Sequence, residues 1–343
     1  MNLKDLAASL GLSQTTVSRA LNGYPEVSEA TRERVAEAAR RHGYRPDSRA
    51  RSLATGKAMA VGLVLPMRAR QEIVNPVFGD FIAGATGVLT TRGYDIVLAI
   101  ARDEDAPALY RSMLLKGRVD GLILQAPLTG DGRIALLRDL GMPFVVHGRI
   151  SEHDEAYCWI DMDNAHAFHT ATAHLLALGH RRIALINGLE AMDFARRRRA
   201  GFEAALAEHG LEADPALMTA AVMTEQYGHA EAMRMLALPE PPTAFLTSSM
   251  LIAIGTHRAI LARGLRLGHD ISVVTHDDGL SYLPNGTQEA PIFTATRSHV
   301  REHGAICAET LMKLIGAPQT PPFHTRLEAP LVIGPSSGPP PVI

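Results

Sequence analysis

The chain is 343 residues long, 46% hydrophobic and has a formal net charge of −2. That is room for two or three domains of the usual ~100–200 residues, and too apolar a composition for a disordered chain. Two cysteines, Cys158 and Cys307, lie far apart and in no metal-ligand spacing, which excludes a disulfide framework and points to a reducing compartment. Residues 1–10 lack the apolar core of a secretory leader, and the longest apolar run, Ala58 to Met67, falls short of the ~20 residues a membrane span needs. A soluble, cytoplasmic protein without membrane contact is expected.

The charge is uneven. Residues 1–57 hold ten Lys/Arg against six Asp/Glu, and the rest hold 24 against 30. A basic module on an acidic body suggests that only the first part meets a polyanion. That module contains no strand-like run. Leu3, Leu6, Ala7 and Leu10 repeat at helical spacing behind Asn2, a good N-cap. Gly11-Leu12-Ser13 breaks this helix and caps a second with Val17, Ala20 and Leu21 on its inner face. A third follows Ser28, carries Val35, Ala38 and Ala39, and ends near Gly43. Three short helices with a tight Gly-containing turn between the first two make a helix-turn-helix unit over residues 1–46. Residues 47–57 read as a linker, with Asp47 able to cap and Gly56 able to end a helix too short to stand alone.

From Ala58 the pattern changes to short apolar strands alternating with amphipathic helices. Strands are expected at Ala60–Leu65, Asp95–Ile100, Gly121–Leu124, Phe144–His147, Ile183–Ile186, Ala244–Thr247 and Ile271–Thr275. Helices are expected at Phe78–Thr91, Asn164–Leu178, Ala200–His209 and Leu251–Ala262. This is an α/β pattern with parallel sheets, long enough over 58–334 for two subdomains with a ligand crevice between them. Residues 335–343, rich in Pro, Gly and Ser, are expected to be a disordered tail.

On the second helix, Gln14, Thr15, Ser18, Arg19 and Asn22 share one stripe opposite the core and include no acidic member. Gln and Asn can pair with adenine edges and Arg with guanine edges in the major groove. An ordinary solvated helix face would look the same. Here the sequence resembles the LacI/GalR regulators. The likeness lies in Asp5-Leu6-Ala7, Gly11-Leu12-Ser13, Thr16 to Gly23, Thr31-Arg32, Gly43 to Pro46 and Ala50-Arg51-Ser52-Leu53. Within that family the opening residues and the run Leu12 to Val27 are similar to regulators of α-glucoside uptake.

The resemblance implies a helix-turn-helix headpiece, a hinge helix at 47–57 and a periplasmic-binding-protein-like core that dimerises. Gln14, Thr15 and Arg19 would contact base edges, with Thr16, Ser18, Asn22 and Tyr44 alongside. Leu53, with Ala50 one turn earlier, would wedge into the minor groove at the dyad of a palindromic operator. Leu53 as a plain linker contact is the alternative. Asp47 departs from the family's usual Asn.

For the core, the resemblance implies a sugar or purine ligand. Phe78 would stack on its ring, Gln125 would add an amide, and Arg198 and Asp277 would read its hydroxyls, with His147, Arg149 and Ser249 at neighbouring ligand positions. Each has a plainer reading. Arg198 lies in a run of four arginines that could be a solvated face, Asp277 could cap a turn, His147 could be a satisfied strand-end histidine, and Phe78 could be core. Ser249-Met250, Met223 and His147-Gly148-Arg149 also depart from the usual sugar-binding pattern.

No Gly-rich phosphate loop, His/Cys metal spacing or nucleophile elbow is present. No catalytic role, metal or cofactor is therefore expected. The expected function is a dimeric, nucleoid-associated transcriptional repressor of carbohydrate-utilisation genes, released from its operator by a small sugar. A corepressor-dependent regulator of the same family sensing a purine or other metabolite is the alternative, and a solute-binding protein the runner-up from another class.

Overall fold

A computed structural model of the chain describes residues 2–21, 24–44, 56–66, 75–102, 104–150, 157–287 and 289–341. The expected hinge at 47–57, with Ala50 and Leu53, and Asn22 of the second helix lie outside the described residues, apart from Gly56 and Lys57.

The headpiece holds α1 (Leu3–Leu10), α2 (Gln14–Leu21) and α3 (Glu29–Arg41). Asn2 and Asp5 form a capping box at the start of α1: the Asn2 side chain accepts the Asp5 amide at 3.0 Å, and the Asp5 carboxylate accepts the Asn2 amide at 3.2 Å. Gly11 ends α1 at φ +65°, a conformation that costs glycine nothing. Ser13 then accepts the Thr16 amide at 3.0 Å and starts α2. Leu6, Ala7, Val17, Ala20, Val35, Ala38 and Ala39 form the buried core of this unit.

The core has two sheets. Strands β1 (Ala60–Pro66), β2 (Asp95–Ala101), β3 (Gly121–Gln125), β4 (Phe144–His147), β5 (Cys158–Met162) and β11 (His324–Leu327) form the first, in the order β11-β5-β4-β3-β1-β2. Strands β6 (Ile183–Asn187), β7 (Met218–Ala220), β8 (Ala244–Thr247), β9 (Ser272–Asp277), β10 (Thr294–Arg297) and β12 (Leu331–Val332) form the second, ordered β12-β10-β9-β8-β6-β7. All neighbours run parallel except β10 and β12. Helices α4 (Pro76–Thr91), α5 (Ala106–Leu115), α6 (Gly132–Asp139) and α11 (Val300–Gly316) cover the first sheet, and α7 (Asn164–Ala177), α8 (Asp193–Glu208), α9 (Glu225–Met235) and α10 (Met250–Ala262) cover the second. Helices on both faces explain why β3, β5, β6, β8 and β9 are buried along their whole length.

The chain passes between the subdomains three times: from β5 to α7, from β10 to α11, and from β11 to β12. These three crossings make a hinge beside the carboxyl ends of the strands.

Two expectations need correction. Helix α8 begins at Asp193, two turns before the expected Ala200, so it contains all four arginines. The tail is not disordered over its described part, 335–341. Ser336 is fully buried, its carbonyl accepts the Val273 amide at 2.8 Å, and its hydroxyl accepts the Thr294 amide at 2.8 Å. Gly338 donates to Ser272 Oγ at 3.0 Å. Pro and Gly suppress helix and strand patterning, but an extended strap can still pair with a sheet that offers hydrogen-bonding groups.

Candidate functional site

Two places gather polar side chains that the fold alone does not need. The first is α2. Val17 and Ala20 face the headpiece core, so helical geometry leaves Gln14, Thr15 and Arg19 exposed, with Thr16 and Ser18 half-buried beside them. Thr16 Oγ1 also lies 2.8 Å from Ser13 Oγ, which ties it to the start of the helix. Tyr44 is half-buried against the headpiece core, and its amide donates to the Ala39 carbonyl at 2.9 Å. The exposed stripe is therefore Gln14, Thr15 and Arg19, while Thr16 and Tyr44 also have structural duties.

The second is a cleft of about 380 Å³ between the subdomains, lined by strand ends, the hinge crossings and α8. Phe78, Gln125, His147, Arg149 and Arg198 all line it. Arg198 is buried; its Nε donates to Asn164 Oδ1 at 2.8 Å and its Nη1 to the Ser248 carbonyl at 2.6 Å. The Phe168 and Phe194 rings lie 5.0 and 4.9 Å from its guanidinium carbon. Burial pushes its pKa down to about 10, which still leaves it charged near neutral pH.

His147 Nε2 lies 3.2 Å from His303 Nδ1, and its ring packs on Phe81 with centroids 4.8 Å apart. Burial, reinforced by His303, pushes His147 down to about 3; burial pushes His303 down to about 4. Both imidazoles are neutral at pH 7, so the pair shares one proton along its contact and can present a donor or an acceptor.

Two expected ligand residues are elsewhere. Ser249 does not line the cleft; it is the N-cap of α10, its hydroxyl accepting the Ile252 amide at 3.3 Å, and Leu251 forms the wall there. Asp277 also turns away, accepting Arg297 Nε at 3.0 Å and the Gly279 amide at 2.9 Å. Asp278 lines the cleft in its place, with its carboxylate 3.3 Å from His276 Nε2. Burial opposes its charge, but His276 and Arg198 hold its pKa below the usual carboxylate value. Residues two apart share a face at a strand end, so His276 and Asp278 fall on one side and Asp277 on the other.

Sequence reasoning missed Asp161, Asn164, Arg197, His276, Asp278 and His303, all in the cleft wall. Asp161 and Asn164 flank the first crossing, where a carboxylate at the end of an apolar strand was a usable signal. Nothing local marks His303, because only the fold brings α11 to β4.

The arrangement can hold a ligand rich in hydrogen-bonding oxygens against apolar walls from Phe78, Phe194, Met192 and Leu251. Among the described residues no group of three or more His, Cys, Asp or Glu could hold a metal ion. No helix among them is long and apolar enough to cross a membrane.

Residues 2–47 match the family model described as bacterial regulatory proteins, lacI family. Residues 58–333 match the model for periplasmic binding proteins and the sugar binding domain of LacI family. The chain belongs to the LacI family. It is 45% identical over 341 residues to the HTH-type transcriptional regulator AglR of Rhizobium meliloti, a match covering 99% of this chain and 95% of that one. Among solved structures, a complex of the transcriptional regulator CelR with cellobiose matches with TM-score 0.72 at 29% identity, over 98% of this chain and 99% of that one. The lac repressor dimer bound to operator and the anti-inducer ONPF matches with TM-score 0.81 at 26% identity, over 98% and 99% of the two chains. The family consists of transcriptional regulators, and this chain joins the regulators' DNA-binding model to the sugar-binding-domain model.

Proposed function

We propose that this regulator is a cytoplasmic repressor of carbohydrate-utilisation genes that binds a palindromic operator as a dimer and leaves it when a small neutral sugar, an α-glucoside, fills the cleft. The observation that carries this reading is the pairing, in one chain, of an exposed Gln14/Thr15/Arg19 stripe with an apolar-walled cleft that carries buried polar groups beside three hinge crossings. Gln14, Thr15 and Arg19 read base edges, and Thr16, Ser18, Asn22 and Tyr44 support the approach to the backbone. The segment carrying Ala50 and Leu53 supplies the minor-groove wedge. In the cleft, Phe78 offers an apolar face, while Gln125, His147, Arg149, Arg198 and Asp278 offer donors and acceptors.

The switch is a linkage. A sugar that binds one relative orientation of the subdomains more tightly than the other shifts the population toward it, and the operator prefers the other. The CelR structure, which holds cellobiose, supports a glycoside. A thermal-shift screen of the full chain with maltose, sucrose, trehalose, glucose and purines tests the ligand. Stabilisation by a disaccharide is expected, and stabilisation by purines alone would overturn the sugar reading. For the wedge, Leu53→Ala is expected to weaken operator binding in a mobility-shift titration with the sugar affinity retained.

A further inference from the structure

Asp161, at the end of β5, is 3% exposed and lies between arginines from both subdomains. It accepts Arg149 Nε at 3.2 Å from the β4 side and Arg197 Nη1 from α8. Arg197 Nε lies 2.9 Å from Asp193 Oδ2, an ion pair whose N–H is not aligned for a hydrogen bond. The guanidinium is thus fixed on two of its three nitrogens. Nη2 is buried and has no hydrogen-bond partner among the described residues, although Arg197 is nine-tenths buried and lines the cleft.

Gln125, on the other subdomain, repeats the pattern. It is 7% exposed and lines the same cleft, and its Nε2 is buried without a partner among the described residues. Both groups are donors only. Leaving such a donor unmet is costly, and most so for a charged one. A ligand that meets both must therefore bring acceptor oxygens to the two subdomains. It need not be an anion, because Arg149 and Arg197 are balanced by Asp161 and Asp193. Hydroxyl, ring and glycosidic oxygens fit this demand.

We propose that Arg197 is a specificity-determining residue of the cleft, a second ligand-reading arginine beside Arg198, whose Nη2 donates to an acceptor oxygen of a neutral glycoside while Gln125 Nε2 donates from the opposite subdomain. This rests on the carbohydrate reading above. Asp161 is its positioning residue, since it holds the guanidinium at the first hinge crossing. A glycoside held from both sides ties the subdomains together, which gives the ligand its preference for one orientation.

The test is calorimetric titration of the full chain with maltose, sucrose and trehalose, followed by monodeoxy analogues of whichever binds. Arg197→Lys keeps a positive charge between Asp161 and Asp193 but loses the fork. A purely structural role would be rescued by lysine; a ligand-reading role would not. The expected result is a roughly tenfold to hundredfold weaker Kd in R197K, as for loss of a hydrogen bond to a charged group. At least one monodeoxy analogue should bind the wild-type chain about tenfold more weakly, and that penalty should vanish in R197K. Affinity in R197K within twofold of wild type overturns the proposal alone. If R197K does not fold, wild-type binding of every monodeoxy analogue as tightly as the parent sugar overturns it. A wild-type chain that binds none of the sugars overturns the carbohydrate reading and this proposal together.

Discussion

The headpiece and the cleft carry their chemistry in opposite ways. On α2 the side chains proposed to read DNA are neighbours in sequence, exposed, and free of any part in the core, because one helix face must point outward. In the cleft, Gln125, His147, Asp161, Arg198, Asp278 and His303 come from six different parts of the chain and are mostly buried, and all but Gln125 have side chains held by polar contacts with neighbouring residues. Recognition of a large rigid duplex tolerates a surface stripe. Recognition of a small polar ligand needs desolvated groups fixed in advance, which makes the same residues structural.

The sharpest way to break this comparison is Asp161→Ala. It strips the carboxylate from the buried Arg197 and the half-buried Arg149, and removing one partner of a buried ion pair typically costs about 3–5 kcal/mol. Denaturant unfolding should show that loss in the core; a change below about 1 kcal/mol would mean the cleft is no more structural than a surface.

Arg19→Ala is the counterpart. Arg19 is exposed, so operator affinity should fall by about 1–3 kcal/mol while headpiece melting moves little, because surface substitutions usually stay within about 0.5 kcal/mol. A large stability loss with operator affinity retained would contradict the division of roles.

Acidity should separate the regions too. His147 and His303 are held down to about 3 and about 4, below the value of about 6.5 for a free histidine. Between those limits the unfolded chain binds more protons than the folded one, so stability is full above about pH 6.5 and is lost as pH falls toward 4. The expected slope is on the order of 1 kcal/mol per pH unit per histidine, measured by thermal melts of the core from pH 7 to 5. His147→Asn should remove one histidine's share of that slope, leaving the share of His303 and the other buried histidines such as His276.

The smallest effect is Ser249→Ala. As an N-cap its loss should cost about 1 kcal/mol of stability and leave sugar affinity untouched, since Ser249 lies outside the cleft. A drop in sugar affinity would reverse that assignment.

The same contrast explains what could be read from sequence. The three headpiece helices are local, with cap, stripe and terminating Gly11 all within a few residues. Seven strands were legible as apolar runs; Cys158–Met162 and the short Met218–Ala220 and Leu331–Val332 were not, nor were Thr294–Arg297 and His324–Leu327. These last two border the hinge crossings and carry polar groups, so hydrophobic patterning fails there. Phe78, Gln125, His147, Arg149 and Arg198 do meet in one cleft. Asp277 was taken where strand parity selects Asp278, and Ser249 where helix capping had the stronger claim. Arg197 was hidden in a run of four arginines whose burial differs residue by residue: Arg196 is exposed, Arg197 and Arg198 are buried. Only the phase of α8 against the hinge separates them.

The central claim is that the cleft and the α2 stripe are coupled. The most direct measurement is fluorescence anisotropy of the full chain on an operator selected by the protein from random DNA, with and without saturating amounts of the sugar that raises its Tm. The expected result is operator binding weakened by about 5- to 150-fold, with the operator weakening sugar binding by the same factor. A sugar that stabilises the core yet leaves operator affinity unchanged would contradict it.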